Sequence, residues 1–200
     1  MLIKICGITD VKEAEYVDNS PADFAGLVMF YKKSKRNNDI ETAGKILSVF
    51  KNTKTVAVTV SPTLEQIKVI EAMGFDYIQI HGYIELRLLR MIRIPVIKAF
   101  NVDDIASYII YSAENNVAGY VFDAAEPGSG KAFDWSMLKD MPRNDKMFIL
   151  AGGLTPENVK HAIAEVKPDG VDVSSGVEND DGAGKNFQKI DKFCKEARNI

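Results

Sequence analysis

The feature that most limits the fold is a regular alternation along the whole chain. Eight apolar runs of strand length alternate with eight segments of helical period. The predicted strands span residues 3–8, 24–30, 55–60, 77–81, 96–100, 119–123, 147–151 and 170–174. The predicted helices span residues 11–17, 40–50, 63–73, 85–92, 103–114, 135–139, 156–166 and 187–197. Strands rich in Val and Ile with helices between them predict a parallel sheet covered on both faces. Eight such units predict an α/β fold, namely a (β/α)8 TIM barrel that forms a single domain over residues 1–200. This length is near the minimum for such a barrel. The alternative architecture is an open doubly wound sheet.

Composition narrows the class of protein further. The chain has 200 residues, 46% of them hydrophobic, which is ordinary for one soluble globular domain with a sizeable core. Its net charge of -3 disfavours a nucleic-acid partner, although a small anion can still bind to backbone amides. The first residues lack the pattern of a signal peptide and no apolar stretch has membrane-spanning length, so we expect a cytoplasmic protein without a membrane partner. Cys6 and Cys194 lie in contexts that do not favour a structural disulfide.

Two turns of small residues follow the last two predicted strands. Gly152 and Gly153 end one apolar run, and Ser175 and Gly176 follow the next. Small side chains let backbone N–H groups approach an anion closely, and in a barrel of this kind the loops after the last two strands usually hold a substrate phosphate. The pattern therefore predicts one shared phosphate site. The alternative is that both are ordinary strand-to-helix turns, which also favour Gly and Ser.

Two groups suited to proton transfer stand at predicted strand ends. In a barrel the active site lies at the C-terminal ends of the strands, where the first strand carries Cys6 and the sixth carries Asp123. A thiolate becomes a competent base once nearby positive charge lowers its pKa, and a carboxylic acid can donate a proton. We therefore expect an acid–base pair. The alternatives are a small buried hydrophobic role for Cys6 and a loop-capping role for Asp123.

Metal and nucleotide motifs do not fit the spacing. The only histidines, His81 and His161, have no second His or Cys at ligand spacing, so we expect no metal site. The segment 128–131 has the letters of part of a P-loop, but Ala125 and Ala132 occupy positions where that motif needs Gly and Ser or Thr.

Five motifs are spread over essentially the whole chain: KICGIT at 4–9, QIHG at 79–82, GSGKAFDW at 128–135, LAGGLTPENV at 150–159 and VDVSSGVE at 171–178. Together and in this order they resemble the phosphoribosylanthranilate isomerase family of tryptophan biosynthesis. The resemblance implies a (β/α)8 barrel that converts N-(5'-phosphoribosyl)anthranilate to 1-(o-carboxyphenylamino)-1-deoxyribulose 5-phosphate by an Amadori rearrangement. It implies neither a metal nor an organic cofactor. The expected partner is a phosphorylated small molecule, and the chain is expected to act as a monomer or homodimer.

The resemblance also assigns roles residue by residue. Cys6 matches the general base that takes the proton from C2 of the ribose, and Asp123 matches the general acid that protonates the furanose oxygen. Arg36 resembles the arginine near the anthranilate carboxylate, with a solvated loop cation as the alternative. The remaining matches are the pocket residues His81 and Asp172, for which packing is the alternative, and the phosphate turns with Gly152, Gly153, Ser175 and Gly176.

Departures from the family pattern keep other functions open. The third strand carries Thr59 and Ser61 where an aromatic residue and an asparagine are usual, and Gly26 lies one residue before the expected glycine of the second strand. A barrel that binds a phosphorylated ligand without catalysis is one alternative, although such a protein needs neither Cys6 nor Asp123. A related sugar-phosphate isomerase is another; the isomerase of the histidine pathway carries a carboxylate where this chain has Cys6.

Overall fold

A computed structural model describes residues 1–101, 107–123, 135–138 and 141–199. The strands are β1 (Leu2–Cys6), β2 (Phe24–Met29), β3 (Asn37–Asn38), β4 (Lys54–Val60), β5 (Tyr77–His81), β6 (Val96–Asn101), β7 (Val117–Asp123), β8 (Met147–Leu150) and β9 (Gly170–Val173). The helices are α1 (Val11–Asp18), α2 (Ile40–Leu47), α3 (Leu64–Met73), α4 (Leu86–Leu89), α5 (Tyr108–Ser112), α6 (Val159–Val166) and α7 (Phe187–Arg198). Short 3-10 helices lie at Trp135–Leu138 and Ser175–Val177.

The sheet closes on itself. Its strands pair in the order β1-β9-β8-β7-β6-β5-β4-β2, and β1 also pairs with β2. Every pairing is parallel, from Lys4 opposite Phe24 on one side of β1 to Lys4 opposite Asp172 on the other. The predicted (β/α)8 barrel is therefore confirmed, and the open doubly wound sheet is wrong. The sequence did not predict the two-residue strand β3. It pairs with Val28 and Met29 at the C-terminal end of β2, beyond the residues of β2 that pair with β1.

Alternate residues of each strand face two different cores, because successive side chains point to opposite sides of a sheet. The barrel interior is filled by Phe24, Val56, Val58, Ile97, Ala99, Val121, Ile149 and Ala151. The outer core packs the other strand faces, including Ile3 and Ile5 of β1, against the surrounding helices. Cys6 packs against the interior cluster, so Lys4, two residues earlier, also faces the interior.

Element boundaries differ from the sequence prediction where side chains hold the connecting loops. The helix predicted from residue 156 begins at Val159, because Asn158 accepts a hydrogen bond from Thr155 N and donates one to Gly153 O, which holds the preceding segment as a loop. Helix α3 follows its prediction closely, since Thr63 and Gln66 form a reciprocal capping box.

Some predictions fall outside the described residues. These are most of the glycine-rich segment 128–135, part of the helix predicted at 103–114 and the end of that predicted at 135–139. No helix in the described parts of the chain is long and apolar enough to cross a membrane.

Candidate active site

A cavity of about 520 Å³ lies over the C-terminal ends of the strands. Eight of the nine site residues predicted from the sequence line it: Cys6, Arg36, His81, Asp123, Gly152, Gly153, Asp172 and Ser175. The ninth, Gly176, directly follows Ser175 in the 3-10 helix after β9. Groups separated by up to 169 positions in the chain therefore meet in one place because the strands close into a barrel.

The two small-residue turns touch each other. A Cβ atom at Gly176 would overlap the carbonyl oxygen of Leu154, so only glycine allows the turn after β9 to lie against the turn after β8. Gly152 and Gly153 both have positive φ values, 83° and 67°, which favour glycine. The hydrogen bonds of the described residues include none donated by the backbone N–H groups of Gly153, Ser175 or Gly176. Clustered amides of this kind can serve as donors to an anion.

Cys6 lies at the end of β1, opposite Gly26 of β2. The absence of a side chain at Gly26 makes room for the thiol, because a Cβ there would lie 2.9 Å from Cys6 Sγ and 3.1 Å from Lys4 Nζ. Burial raises the pKa of the Cys6 thiol, and the positive charges of Lys4 and Lys185 offset that effect only in part. The lowered pKa expected for a catalytic thiol is therefore not what the structure gives, since desolvation of the thiolate outweighs its cationic neighbours.

A buried ion pair lies below the cavity, inside the barrel. Lys4 Nζ donates to Asp172 Oδ2 at 2.8 Å, and the two side chains are only 1% and 8% exposed. Burial alone would lower the pKa of Lys4, but the carboxylate of Asp172 and the Cys6 sulfur outweigh it, so the pKa is raised and the ammonium stays charged. Among the described residues, the other carboxylate oxygen, Asp172 Oδ1, has no hydrogen-bond partner although it is buried.

His81 is held as a neutral imidazole. Burial, with the positive charges of Lys98 and Lys4, lowers its pKa to about 3. Gln79 Nε2 lies 2.9 Å from His81 Nε2, within hydrogen-bond distance of the ring. His81 can therefore position a ligand by hydrogen bonding, but it supplies no charge near neutral pH.

Arg36 is fixed by Glu178. Its Nε donates to Glu178 Oε1, and its side chain is only 14% exposed, which does not fit a solvated loop cation. Burial would raise the pKa of Glu178, but hydrogen bonds from Arg36 and Lys35 lower it to about 2. A guanidinium has five N–H donors, and no described residue accepts from the terminal nitrogens of Arg36. They form a planar fork of the shape that a carboxylate fits.

Asp123 and β4, which is the third strand predicted from the sequence, complete the walls of the cavity. Asp123 ends β7, lines the cavity and pairs in register with Asn101 of β6. β4 presents the aliphatic residues Val58 and Val60 to the cavity, and Thr59 is buried on the opposite face. Neither of the two departures seen in the sequence, Thr59 and Ser61, is therefore among the residues that line this wall.

The sequence analysis gave no role to three residues that shape the site, namely Lys4, Glu178 and Lys185. Lys4 could have been found, because alternation along the strand places it on the same face as Cys6. Gly26, which lies one residue before the expected glycine, pairs with Cys6 and makes room for its thiol. No local pattern in the sequence points to the contacts of Glu178 and Lys185, which are made across the fold.

A closed parallel barrel with a polar cavity over the C-terminal strand ends defines the class of (β/α)8-barrel enzymes. A sequence model described as N-(5'phosphoribosyl)anthranilate (PRA) isomerase matches residues 3–196. An N-(5'-phosphoribosyl)anthranilate isomerase from Aquifex aeolicus is 37% identical over 201 residues, covering 98% of both chains. The crystal structure of the phosphoribosylanthranilate isomerase from Thermotoga maritima superposes with a TM-score of 0.87 at 36% identity, covering 100% of both chains. A phosphoribosylanthranilate isomerase in complex with reduced 1-(o-carboxyphenylamino)-1-deoxyribulose 5-phosphate superposes with a TM-score of 0.82 at 34% identity, again over 100% of both chains.

The chain belongs to the N-(5'-phosphoribosyl)anthranilate isomerase family.

The contact between the two turns yields a test of the phosphate site. Gly176→Ala should weaken binding of inorganic phosphate by about tenfold or more, because the new Cβ would separate the turns; a tenfold loss is about 1.4 kcal/mol. Titration calorimetry measures this directly. Gly44→Ala on α2 is the matched control, since a Cβ there meets nothing within 4 Å and should leave phosphate binding unchanged. Wild-type affinity in Gly176→Ala would contradict the assignment.

Proposed function

We propose that this chain catalyses the Amadori rearrangement of N-(5'-phosphoribosyl)anthranilate to 1-(o-carboxyphenylamino)-1-deoxyribulose 5-phosphate in tryptophan biosynthesis. One observation carries the proposal. A single cavity is lined by residues of the two small-residue turns, the thiol of Cys6 and the carboxyl group of Asp123. Family membership supports it, and so does the relative that binds a reduced form of this product.

Binding uses the two ends of the substrate. In the proposal, the phosphate accepts hydrogen bonds from the backbone N–H groups of Gly152, Gly153, Ser175 and Gly176. The anthranilate carboxylate is bound by the terminal nitrogens of Arg36, which Glu178 holds in place through Nε. The neutral ring of His81 and the buried carboxylate of Asp172 orient the sugar hydroxyl groups between these two anchors. Holding both ends fixes the ribose between the acid and the base.

Ring opening is assigned to Asp123. Its carboxylic acid donates a proton to the furanose oxygen while the anilino nitrogen supplies an electron pair to C1. The bond between C1 and the ring oxygen breaks, and the product is an open-chain protonated Schiff base. Asp123 is left as a carboxylate. The positive charge on nitrogen makes the C2 proton acidic enough for the next step.

Proton removal from C2 is assigned to Cys6. Its thiolate takes the proton, and the electrons of the C2–H bond form a C1–C2 double bond while the nitrogen becomes neutral. Tautomerisation of the resulting enol, with a proton delivered to C1, gives the ketone. Burial raises the pKa of this thiol, so fewer molecules hold the thiolate at neutral pH, but each thiolate is a stronger base.

Separate substitutions test the acid and the base. Cys6→Ser and Asp123→Asn should each lower kcat by at least about a hundredfold, since positioned acid–base groups are commonly worth about 10²–10⁴ in rate. Steady-state kinetics measures kcat, while circular dichroism and phosphate binding verify that each variant folds. Cys194→Ser, a change in a thiol on α7 outside the cavity, is the control for the loss of a thiol. If Cys6→Ser kept a near-normal kcat, the assignment of the base would be wrong.

The role of Arg36 predicts a change in binding rather than in chemistry. Arg36→Lys should raise KM about tenfold or more with a smaller effect on kcat, because an ammonium cannot reproduce a bidentate contact with a carboxylate. The same change at Arg87, which is exposed on α4, is the control. Equal kinetic constants for Arg36→Lys and the wild type would remove Arg36 from the substrate site.

A further inference from the structure

Lys185 is a buried cation that no sequence motif singles out. Its side chain is 1% exposed, and its Nζ donates to Ser174 O at 3.0 Å and lies 3.4 Å from both Ser174 Oγ and Glu178 Oε1. Its backbone N–H donates to Glu13 Oε1 at 2.6 Å, which ties the loop after β9 to the start of α1. Burying an ammonium group costs free energy unless its charge is paired, so the groups around Lys185 indicate what this charge does.

The surroundings carry an excess of positive charge. Glu178 is shared among three cations, Lys35, Arg36 and Lys185, so it cannot neutralise Lys185 alone. The carboxylate of Glu13 also lies close and accepts from the backbone N–H groups of Thr9 and Lys185, so it offsets part of this positive charge. Burial lowers the pKa of Lys185, and the neighbouring carboxylate of Glu178 opposes that effect. A developing negative charge nearby would therefore be stabilised.

The thiol of Cys6 can develop such a charge: burial raises the pKa of this thiol, and the positive charge of Lys185 opposes that rise. Ser174, which accepts from Lys185, donates its own hydroxyl to the carbonyl oxygen of Cys6 at 3.0 Å. A Cβ at Gly7 would lie 3.0 Å from Ser174 Oγ, so the backbone after Cys6 packs directly on this serine. Lys185 is thus connected to the end of β1 through Ser174.

Other charged or titratable groups face the thiol from the remaining elements. These are Lys4 on β1, Asp172 on β9, neutral His81 on β5, Asp123 on β7, and Arg36 in the loop after β2. Lys4 is paired one to one with Asp172, whose negative charge opposes thiolate formation. Lys185 differs from Lys4, because its carboxylate partner, Glu178, is shared with Lys35 and Arg36.

We propose that Lys185 is a positioning residue that stabilises the thiolate of Cys6 and holds the end of β1 through Ser174. The proposal deepens the proposed function, because the thiolate matters for catalysis only if Cys6 is the base. Its test, however, measures the thiolate itself and does not depend on turnover.

The rate of alkylation by iodoacetamide, measured as a function of pH, reports the fraction of Cys6 that is ionised. The thiolate sulfur forms a bond to carbon and iodide leaves, so the rate follows the ionised fraction. In a Cys194→Ala background, Lys185→Met should move the midpoint of the rate profile to higher pH and slow alkylation about tenfold at a fixed pH below it. The acidic limb of the kcat profile should move in the same direction. Lys192→Met, which removes an exposed lysine of α7, is the matched control and should leave both profiles unchanged.

A second variant, which removes a negative charge instead of a positive one, keeps the test decisive if Lys185→Met does not fold. Glu178→Gln removes the shared negative charge, so it should move the alkylation midpoint to lower pH. An unchanged midpoint in Lys185→Met, or in Glu178→Gln where the first variant is unfolded, would overturn the proposal even if Cys6→Ser abolishes activity. Conversely, shifted midpoints together with a fully active Cys6→Ser would uphold the role of Lys185 and refute that of Cys6.

Discussion

The ion pair between Lys4 and Asp172 is the interaction on which the site depends. It joins the first and last strands inside the barrel, directly below the cavity, and its two atoms are 2.8 Å apart. Buried pairs of this kind gain little net stability, because both charges lose their hydration. Here Asp172 Oδ1 is buried without a partner among the described residues, which costs further free energy. An arrangement that is poor for stability but lies under a cavity is better explained by the electrostatic field it creates there.

That field acts on neighbouring groups in different ways. Burial, with the positive charges of Lys98 and Lys4, keeps His81 neutral, while Lys4 partly offsets the cost of ionising Cys6. In the loops that follow β2 and β9, Glu178 orients Arg36 and partly balances Lys185. One cluster of charge therefore lies inside the barrel, and the other lies in these loops beside the cavity. In the proposed mechanism, proton transfer and ligand orientation are coupled through these shared partners.

Much of the fold could be predicted from the sequence, because each strand and helix has its own local pattern of apolar residues. The eight main strands appear where alternation and Val/Ile content indicate, but β3 escapes because two residues carry no periodicity. The positions of the two small-residue turns could also be predicted, because each directly follows an apolar run; that they bind phosphate stays a prediction. Glu178 and Lys185 could not, because their roles come from contacts with Arg36 and Ser174 that only the closed barrel creates. The raised pKa of Cys6 also escaped, since burial cannot be read from the residues beside it.

The most direct test of this account is turnover of freshly prepared N-(5'-phosphoribosyl)anthranilate by the purified protein, followed by the loss of substrate fluorescence. The account predicts a saturable decay that exceeds that of a protein-free sample and that inorganic phosphate inhibits competitively. Binding of phosphate without any acceleration of the decay would contradict it and would leave a barrel that binds phosphorylated ligands without catalysis.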